Sequence, residues 1–151
     1  MTNQRARIEM DEAEQRALLG SARVLQTATI GRDGRPHLVP MWFALDDDGH
    51  IVYTTYATSQ KVRNLQRDPR ITVLAEAGHD YGELRGVMIE GTAELVIGQP
   101  EETARVLSLV GVKYSGRGMV SADTPQARKR CVVRVIPEQV RSWDHRRLGA
   151  G

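Results

Sequence analysis

The stretch Thr54–Arg70, TTYATSQKVRNLQRDPR, decides how the chain is put together. It begins as a strand, turns polar, and continues as a short helix over Ser59–Arg67 that Pro69 ends, because the residue before a proline is driven out of the α region. A strand, Arg70–Glu76, follows at once with Ile71, Val73 and Ala75 on one face. Upstream, period-two patterning predicts strands over Arg23–Ile30, Pro36–Leu45 and His50–Thr55. Gly31–Gly34 and Asp46–Gly49 join them, and Asp33-Gly34 supplies the positive φ of a hairpin turn. Downstream, Val87, Ile89, Gly91, Ala93, Leu95 and Ile97 face one way and Glu90, Thr92 and Glu94 the other, the pattern of a long half-exposed strand. Cys131–Trp143 reads as a last strand interrupted near Pro137.

Helices are expected over Glu9–Leu19, ended by Gly20, and over Pro100–Val110 with Val106, Leu107, Leu109 and Val110 inward. Ala77–Gly82 and Tyr114–Thr124 read as loops. Three hairpin-linked strands, a crossover helix and further long strands describe a mainly β (α+β) fold, an antiparallel barrel with peripheral helices rather than an alternating parallel sheet. No G-x-G-x-x-G opens a helix, so nothing resembles a dinucleotide fold.

At 151 residues the chain is read as one domain, 1–151, with residues 1–8 flexible. A domain of this size buries roughly two thirds of its unfolded surface. Mean hydropathy of -0.40 and no apolar run of spanning length exclude a membrane helix. The N-terminus lacks the apolar core of a secretory signal, and the lone Cys131 fits a reducing compartment, so a cytoplasmic protein is expected. Twenty-one Lys+Arg against nineteen Asp+Glu give +2, too small a field to argue for nucleic acid. Arginines do cluster locally, at 63, 67 and 70, at 128 and 130, and at 141, 146 and 147, where solvated patches and anion sites are both open readings.

Thr58 or Ser59 is placed to cap the Ser59–Arg67 helix by accepting from a backbone N–H. Lys61 is less expected there, because a cation in the first turn opposes the helix dipole. An anion resting between Lys61 and the helix end reverses that sign. Thr54, Thr55, Ser59 and Lys61 therefore fit a phosphate cradle, and equally a capped surface helix with a solvated lysine. In His37–Ala44 both faces of the strand are apolar, Val39, Met41 and Phe43 on one and Leu38, Pro40 and Trp42 on the other. That suits a strand covered on both sides, or an apolar wall for a flat ligand with Pro40 breaking the ladder. No nucleophile elbow occurs, and the four histidines lack metal-ligand spacing. No metal is expected, no catalytic residue is assigned, and any redox chemistry would belong to a bound cofactor.

In order, Pro40-Met-Trp-Phe43, an Asp-Gly turn, Thr54-Thr55, Ser59-Gln-Lys61, Asn64-Leu65, Asp68-Pro-Arg70 and Ser142-Trp-Asp-His145 resemble the split β-barrel family related to pyridoxamine 5'-phosphate oxidase. More narrowly they resemble the branch that uses the deazaflavin F420, and the likeness runs from about Glu9 to Leu148. It implies a split β-barrel of the FMN-binding type and a homodimer with two cofactor sites at the subunit interface. It also implies that Lys61 and Ser59 hold the cofactor phosphate, that Thr54 and Thr55 line its approach, and that Val39, Pro40, Met41 and Trp42 lie against the ring. The strand after Gly86 and the Trp143 region would close the pocket from the facing subunit. Some relatives carry an arginine where this chain has Ser59, so another arginine such as Arg63 would complete the anchor.

The reading is an F420-dependent oxidoreductase passing a hydride from reduced deazaflavin to a planar, conjugated small molecule, with a groove formed by Arg63, Arg67 and Arg128 to Arg130 for the acidic cofactor tail. Tyr56, His79, Tyr81 and Tyr114 are the proton donors to be weighed. The alternatives are an FMN-dependent oxidase or reductase on the same fold, or a flavin- or tetrapyrrole-binding protein without turnover. The C-terminus lacks a recognisable set of substrate-phosphate arginines, so oxidation of pyridoxamine phosphate itself is not expected.

Overall fold

The computed structural model describes residues 3–149. Residues 1 and 2 of the segment expected to be flexible lie outside this range, while Gln4–Arg7 forms a helical turn, α1. The elements that follow are α2 (Glu12–Ser21), β1 (Leu25–Ile30), β2 (Pro36–Met41), β3 (Ala44–Leu45), β4 (Ile51–Tyr56) and α3 (Gln60–Arg67). Then come β5 (Arg70–Ala77), β6 (Arg85–Val96), α4 (Pro100–Ser115), α5 (Pro125–Lys129) and β7 (Arg130–Asp144).

All seven strands form one sheet in the order β2-β1-β5-β6-β7-β4-β3, and every pairing is antiparallel. The two edge strands, β2 and β3, are separated in sequence by Trp42 and Phe43 alone. A link that short forces the sheet to curl until its edges almost meet, yet no ladder joins them. This is a split barrel, and Trp42–Phe43 is its seam.

The inner face of the barrel carries the main core, including Leu25, Phe43, Tyr53, Ile71, Val73, Val87 and Val133, all nearly inaccessible. From α2, Leu18 and Leu19 join this core, and from α3, Leu65 does. A second cluster on the outside of the sheet, Ala44, Val52 and Val132, is covered by Val106 of α4. Asn64 of α3 is fully buried and satisfied: its amide donates to Thr29 Oγ1 at 3.0 Å, while its oxygen accepts from Gln60 at 2.8 Å. Such a paired polar group fixes where α3 docks on β1.

Several expected boundaries move. The first helix is held by a capping box between Asp11 and Glu14 and runs to Ser21, so Gly20 lies inside it rather than ending it. The predicted strand Pro36–Leu45 breaks at the seam, so β4 pairs with β3 and β7 at the far end of the sheet instead of continuing a three-strand meander. Its two apolar faces are not both covered within one chain, since β2 is an edge with Leu38 64% and Trp42 62% exposed. α4 continues to Ser115, where Gly116 at φ 71° closes it in the left-handed conformation, and α5 occupies part of the expected loop. Near Pro137 the ladder is irregular as expected: Glu90 pairs with Gln139 and Gly91 with Pro137, leaving Glu138 as a bulge in an otherwise continuous β7.

Candidate functional site

The seam creates the site. Phe43 turns inward and is fully buried, whereas Trp42 turns outward. Beside Trp42 opens a cavity of about 460 Å³ walled by Met41, Thr54, Leu107, Val110, Tyr114 and Arg130, among others. The walls are predominantly apolar with a few polar side chains among them, Thr54, Gln126 and Arg130 included, the composition expected of a small-molecule pocket.

Tyr114 of α4 organises the seam. Its ring stacks on Trp42 with centroids 4.4 Å apart and planes 11° from parallel. The Arg23 guanidinium lies 4.6 Å from the same ring centroid. The hydroxyl donates to Arg23 O at 2.7 Å and accepts from the Phe43 N–H at 3.3 Å, an amide that the break between β2 and β3 would otherwise leave unpaired. Burial raises the Tyr114 hydroxyl above the usual tyrosine value, with the Phe43 amide and Arg23 acting the other way. Its proton is thus committed to Arg23 O. Next to it, Lys113 Nζ sits 3.5 Å from the Phe43 ring centroid and donates to Leu19 O at 3.2 Å, and burial, then Arg23, push its pKa down to about 8.

At the far end of the pocket the Arg130 guanidinium donates to Thr54 O at 3.4 Å and lies over the Tyr56 ring at 4.5 Å. Lys61, at the second position of α3, is within electrostatic reach of it. Burial first, and Arg130 second, lower the Lys61 ammonium below the usual lysine value, while Cys131 beside it acts oppositely. Burial raises the Cys131 thiol. Among the described residues neither Lys61 nor Arg130 has a carboxylate partner. Two cations held together without a counter-ion are unfavourable by themselves and favourable around an anion.

Ser59 is the N-cap residue of α3, but its hydroxyl caps nothing, contrary to the sequence expectation. It accepts instead from Thr55 Oγ1 at 3.4 Å. The first-turn N–H groups of α3 are therefore not capped by the Ser59 side chain. Of the eight residues expected to bind cofactor, Met41, Trp42 and Thr54 line the cavity, and Thr55, Ser59 and Lys61 gather beyond Arg130 at the α3 N-terminus. Val39 and Pro40 lie on the β2 edge opposite Thr27 and Gln26 and do not line the cavity.

The arginine beside Lys61 is Arg130, not the exposed Arg63. Sequence spacing could not show this, since β4 and β7 come together only through the Thr55↔Cys131 register. Other clustered arginines are spoken for: Arg67 donates to Ile30 O, Arg70 pairs with Asp68, and Arg128 with Asp123. Of the donors weighed, Tyr81 and His79 lie near the other end of the barrel, Tyr81 against the His145 ring at 4.7 Å.

A second cavity of about 560 Å³ lies at the opposite end of β7, lined by Arg5, Met10, Met88, Arg141, Trp143 and His145, among others. There the Trp143 indole packs against Gly86, where an added Cβ would come within 2.2 Å of the ring. In the turn before β4, ligand atoms of Asp46, Asp48 and His50 lie within 4.8 Å of one another. The gathering is already accounted for: Asp46 accepts from the His50 and Asp48 amides and pairs with Arg134 at 3.0 Å. No helix among the described residues is long and apolar enough to cross a membrane.

Comparison with known proteins agrees with this geometry. A solved conserved hypothetical protein from Mycobacterium tuberculosis is 45% identical, covers 98% of this chain and 93% of its own, and superposes with a TM-score of 0.87. A solved F420 reductase, at 22% identity and a TM-score of 0.68 over 87% of this chain and 98% of its own, shares the fold. The 5a,11a-dehydrotetracycline/5a,11a-dehydrooxytetracycline reductase of Streptomyces rimosus is 32% identical over 72 residues, 44% of this chain, and the match spans about half of that relative, 51%. The family model for pyridoxamine 5'-phosphate oxidase matches residues 11–144, from the capping box of α2 to the end of β7. The chain therefore belongs to the pyridoxamine 5'-phosphate oxidase family and has its split-barrel fold.

Proposed function

We propose that the protein is an F420-dependent reductase of a planar, conjugated small molecule, working as a cytoplasmic homodimer. The observation that carries this reading is the uncapped N-terminus of α3, with Lys61 in its first turn, beside the Ser59 and Thr55 hydroxyls and next to the strand pairing of Tyr56 with Arg130, where neither cation has a carboxylate partner among the described residues. Such a site is built for a phosphate group. The reductase names borne by relatives on this fold support the reductive direction.

In this reading Lys61, Arg130 and Ser59 hold the cofactor phosphate, and Thr54 and Thr55 line its approach. Met41 and Trp42 provide the wall against which the ring lies. When bound, F420 supplies the hydride from its reduced ring. The chain contributes orientation and a pocket sheltered from water. Since the Tyr114 proton is held by Arg23 O, it does not serve as the acid.

Two copies are needed to complete the site. Trp143 and Arg130 stand at opposite ends of β7, about 40 Å apart along the strand at about 3.3 Å per residue. Trp143 can close the pocket over Lys61 only from a facing subunit. The exposed Leu38 on the β2 edge supports this, because an uncovered apolar edge strand invites aggregation.

The deciding experiment is a fluorescence titration of the purified protein with F420 and, in parallel, FMN. Saturable F420 binding at micromolar or lower concentration with much weaker FMN binding supports the proposal. A preference for FMN moves the cofactor to the flavin branch on the same cradle, and binding of neither removes the cradle assignment. Sedimentation of the parent and of Leu38→Glu tests the dimer, with a monomeric parent the contrary result. Because the Tyr114 proton is committed, a second reading is a carrier that binds without turnover. Oxidation of reduced F420 by planar conjugated acceptors, present or absent, separates the two.

A further inference from the structure

We infer that Tyr114 is a positioning residue: it fixes the Trp42 indole as a preformed wall of the pocket and thereby sets how tightly a planar ring is held there. The consequence for binding rests on the functional reading above; the positioning does not.

Trp42 is the first residue after β2 and belongs to no ladder. With 62% of its surface exposed, the indole has little packing to hold it. What does hold it comes from α4, far away in sequence: the near-parallel stack on Tyr114 at 4.4 Å. Tyr114 is itself locked from two further directions. Arg23 covers its ring, and its hydroxyl is clamped between Arg23 O and Phe43 N–H. The clamp reaches the residue next to Trp42, so one side chain fixes both the seam backbone and the indole at its tip.

The neighbourhood explains why no smaller residue would do. Leu107, Val110 and Gly111 of the same helix line the same cavity as the stacked pair, so the position of the indole bears on the space beside α4. A freely rotating indole could fill that space or leave it. Ordering a side chain on binding weakens association, and here the order already exists in the free chain.

The test uses the indole itself. Trp42 and Trp143 are the two tryptophans, so a Trp143→Phe background leaves Trp42 as the sole reporter. In the absence of any ligand, Tyr114→Leu should lower the steady-state anisotropy of Trp42 and abolish its near-ultraviolet circular dichroism. Tyr114→Phe, which keeps the ring, should retain most of both signals even though it leaves the Phe43 amide without its hydroxyl partner. In titrations with F420, and with FMN in parallel, Tyr114→Leu should raise Kd about tenfold, the scale expected for an unordered aromatic wall, and Tyr114→Phe by less than about threefold.

Unchanged anisotropy and dichroism in a folded Tyr114→Leu protein would overturn the positioning role whatever the titrations give. A loosened indole with an unchanged Kd would overturn its connection to binding. If the parent binds neither F420 nor FMN, the cofactor reading fails while the ligand-free spectra still decide the role of Tyr114.

Discussion

Replacing Lys61 by alanine separates a phosphate anchor from a surface lysine. In the ligand-free chain the ammonium is half-buried beside Arg130, and both burial and that neighbour lower its pKa. A phosphate turns the second of these around. A cation about 4 Å from an anion gains about 4 kcal/mol at an effective dielectric near 20. For a half-buried lysine still in touch with solvent, the charge-assisted hydrogen bond is worth about 1.5–3 kcal/mol. Lys61→Ala should therefore raise the Kd for F420 by about 10- to 150-fold in a fluorescence titration. Arg130→Gln should weaken binding as well, and the double variant should lose less than the two combined, because both cations address one anion. The free protein provides the control: a folded-state pKa below the unfolded value means the charge on Lys61 opposes folding at neutral pH. Thermal unfolding of the unliganded alanine variant should occur at the parental temperature or above it. A folded Lys61→Ala protein with parental Kd for both F420 and FMN would refute the reasoning.

Gly86→Ala places a methyl group 2.2 Å from the Trp143 ring, so the indole must move at a cost of about 1–3 kcal/mol, visible as a lower denaturation midpoint and a shifted Trp143 emission in a Trp42→Phe background. Parental values for both would show that Trp143 does not lie on Gly86. Tyr53→Phe removes a hydroxyl that is buried with no partner among the described residues, and should leave stability unchanged or raise it by about 1 kcal/mol in urea unfolding, whereas a clear loss would reveal an unseen partner. Lys113, held near 8 by burial and then Arg23, should make folding stability rise with pH between about 8 and the usual 10.5, because the unfolded chain binds the extra proton in that window. The stability advantage of Lys113→Met over the parent, measured by urea unfolding at pH 7, 8.5 and 10, should shrink along the same interval, and a constant difference would deny the shift.

The elements were legible in the sequence wherever a period or a turn residue was in charge. β5 and β6 alternate cleanly, Gly34 at φ 84° makes the predicted hairpin turn, and Pro100 opens α4. Boundaries failed where a tertiary contact overrode local preference. Gly20 does not stop α2, since that helix runs one residue further to Ser21 and is ended by its C-cap Ala22, buried in the core. Tyr114 and Ser115 stay helical because Gly116 and not the preceding polar stretch provides the left-handed cap. The seam is the largest difference. Pro36–Leu45 reads as one strand because its alternation is unbroken, and only the edge-to-edge closure of the sheet requires that it bend at Trp42–Phe43.

The candidate site was legible in proportion to how local it is. Thr54, Thr55, Ser59 and Lys61 fall within one strand-to-helix turn, so their residue types alone suggested an anion there. Arg130 and Tyr114 were named in the sequence only for other roles, a tail-groove arginine and a proton donor to be weighed, because each takes its place across a contact that no sequence spacing encodes, one through the β4–β7 ladder and the other through α4 lying over the seam. These two residues also divide the labour. Arg130 adds charge where the turn already offers hydroxyls and free amides, whereas Tyr114 adds no charge and instead immobilises the wall. A pocket of this kind gets its affinity from the local motif and its shape from the distant residues, so substitutions in Thr54–Lys61 should act on every phosphate-bearing cofactor alike, while those around Tyr114 should act on the ring that sits beside Trp42.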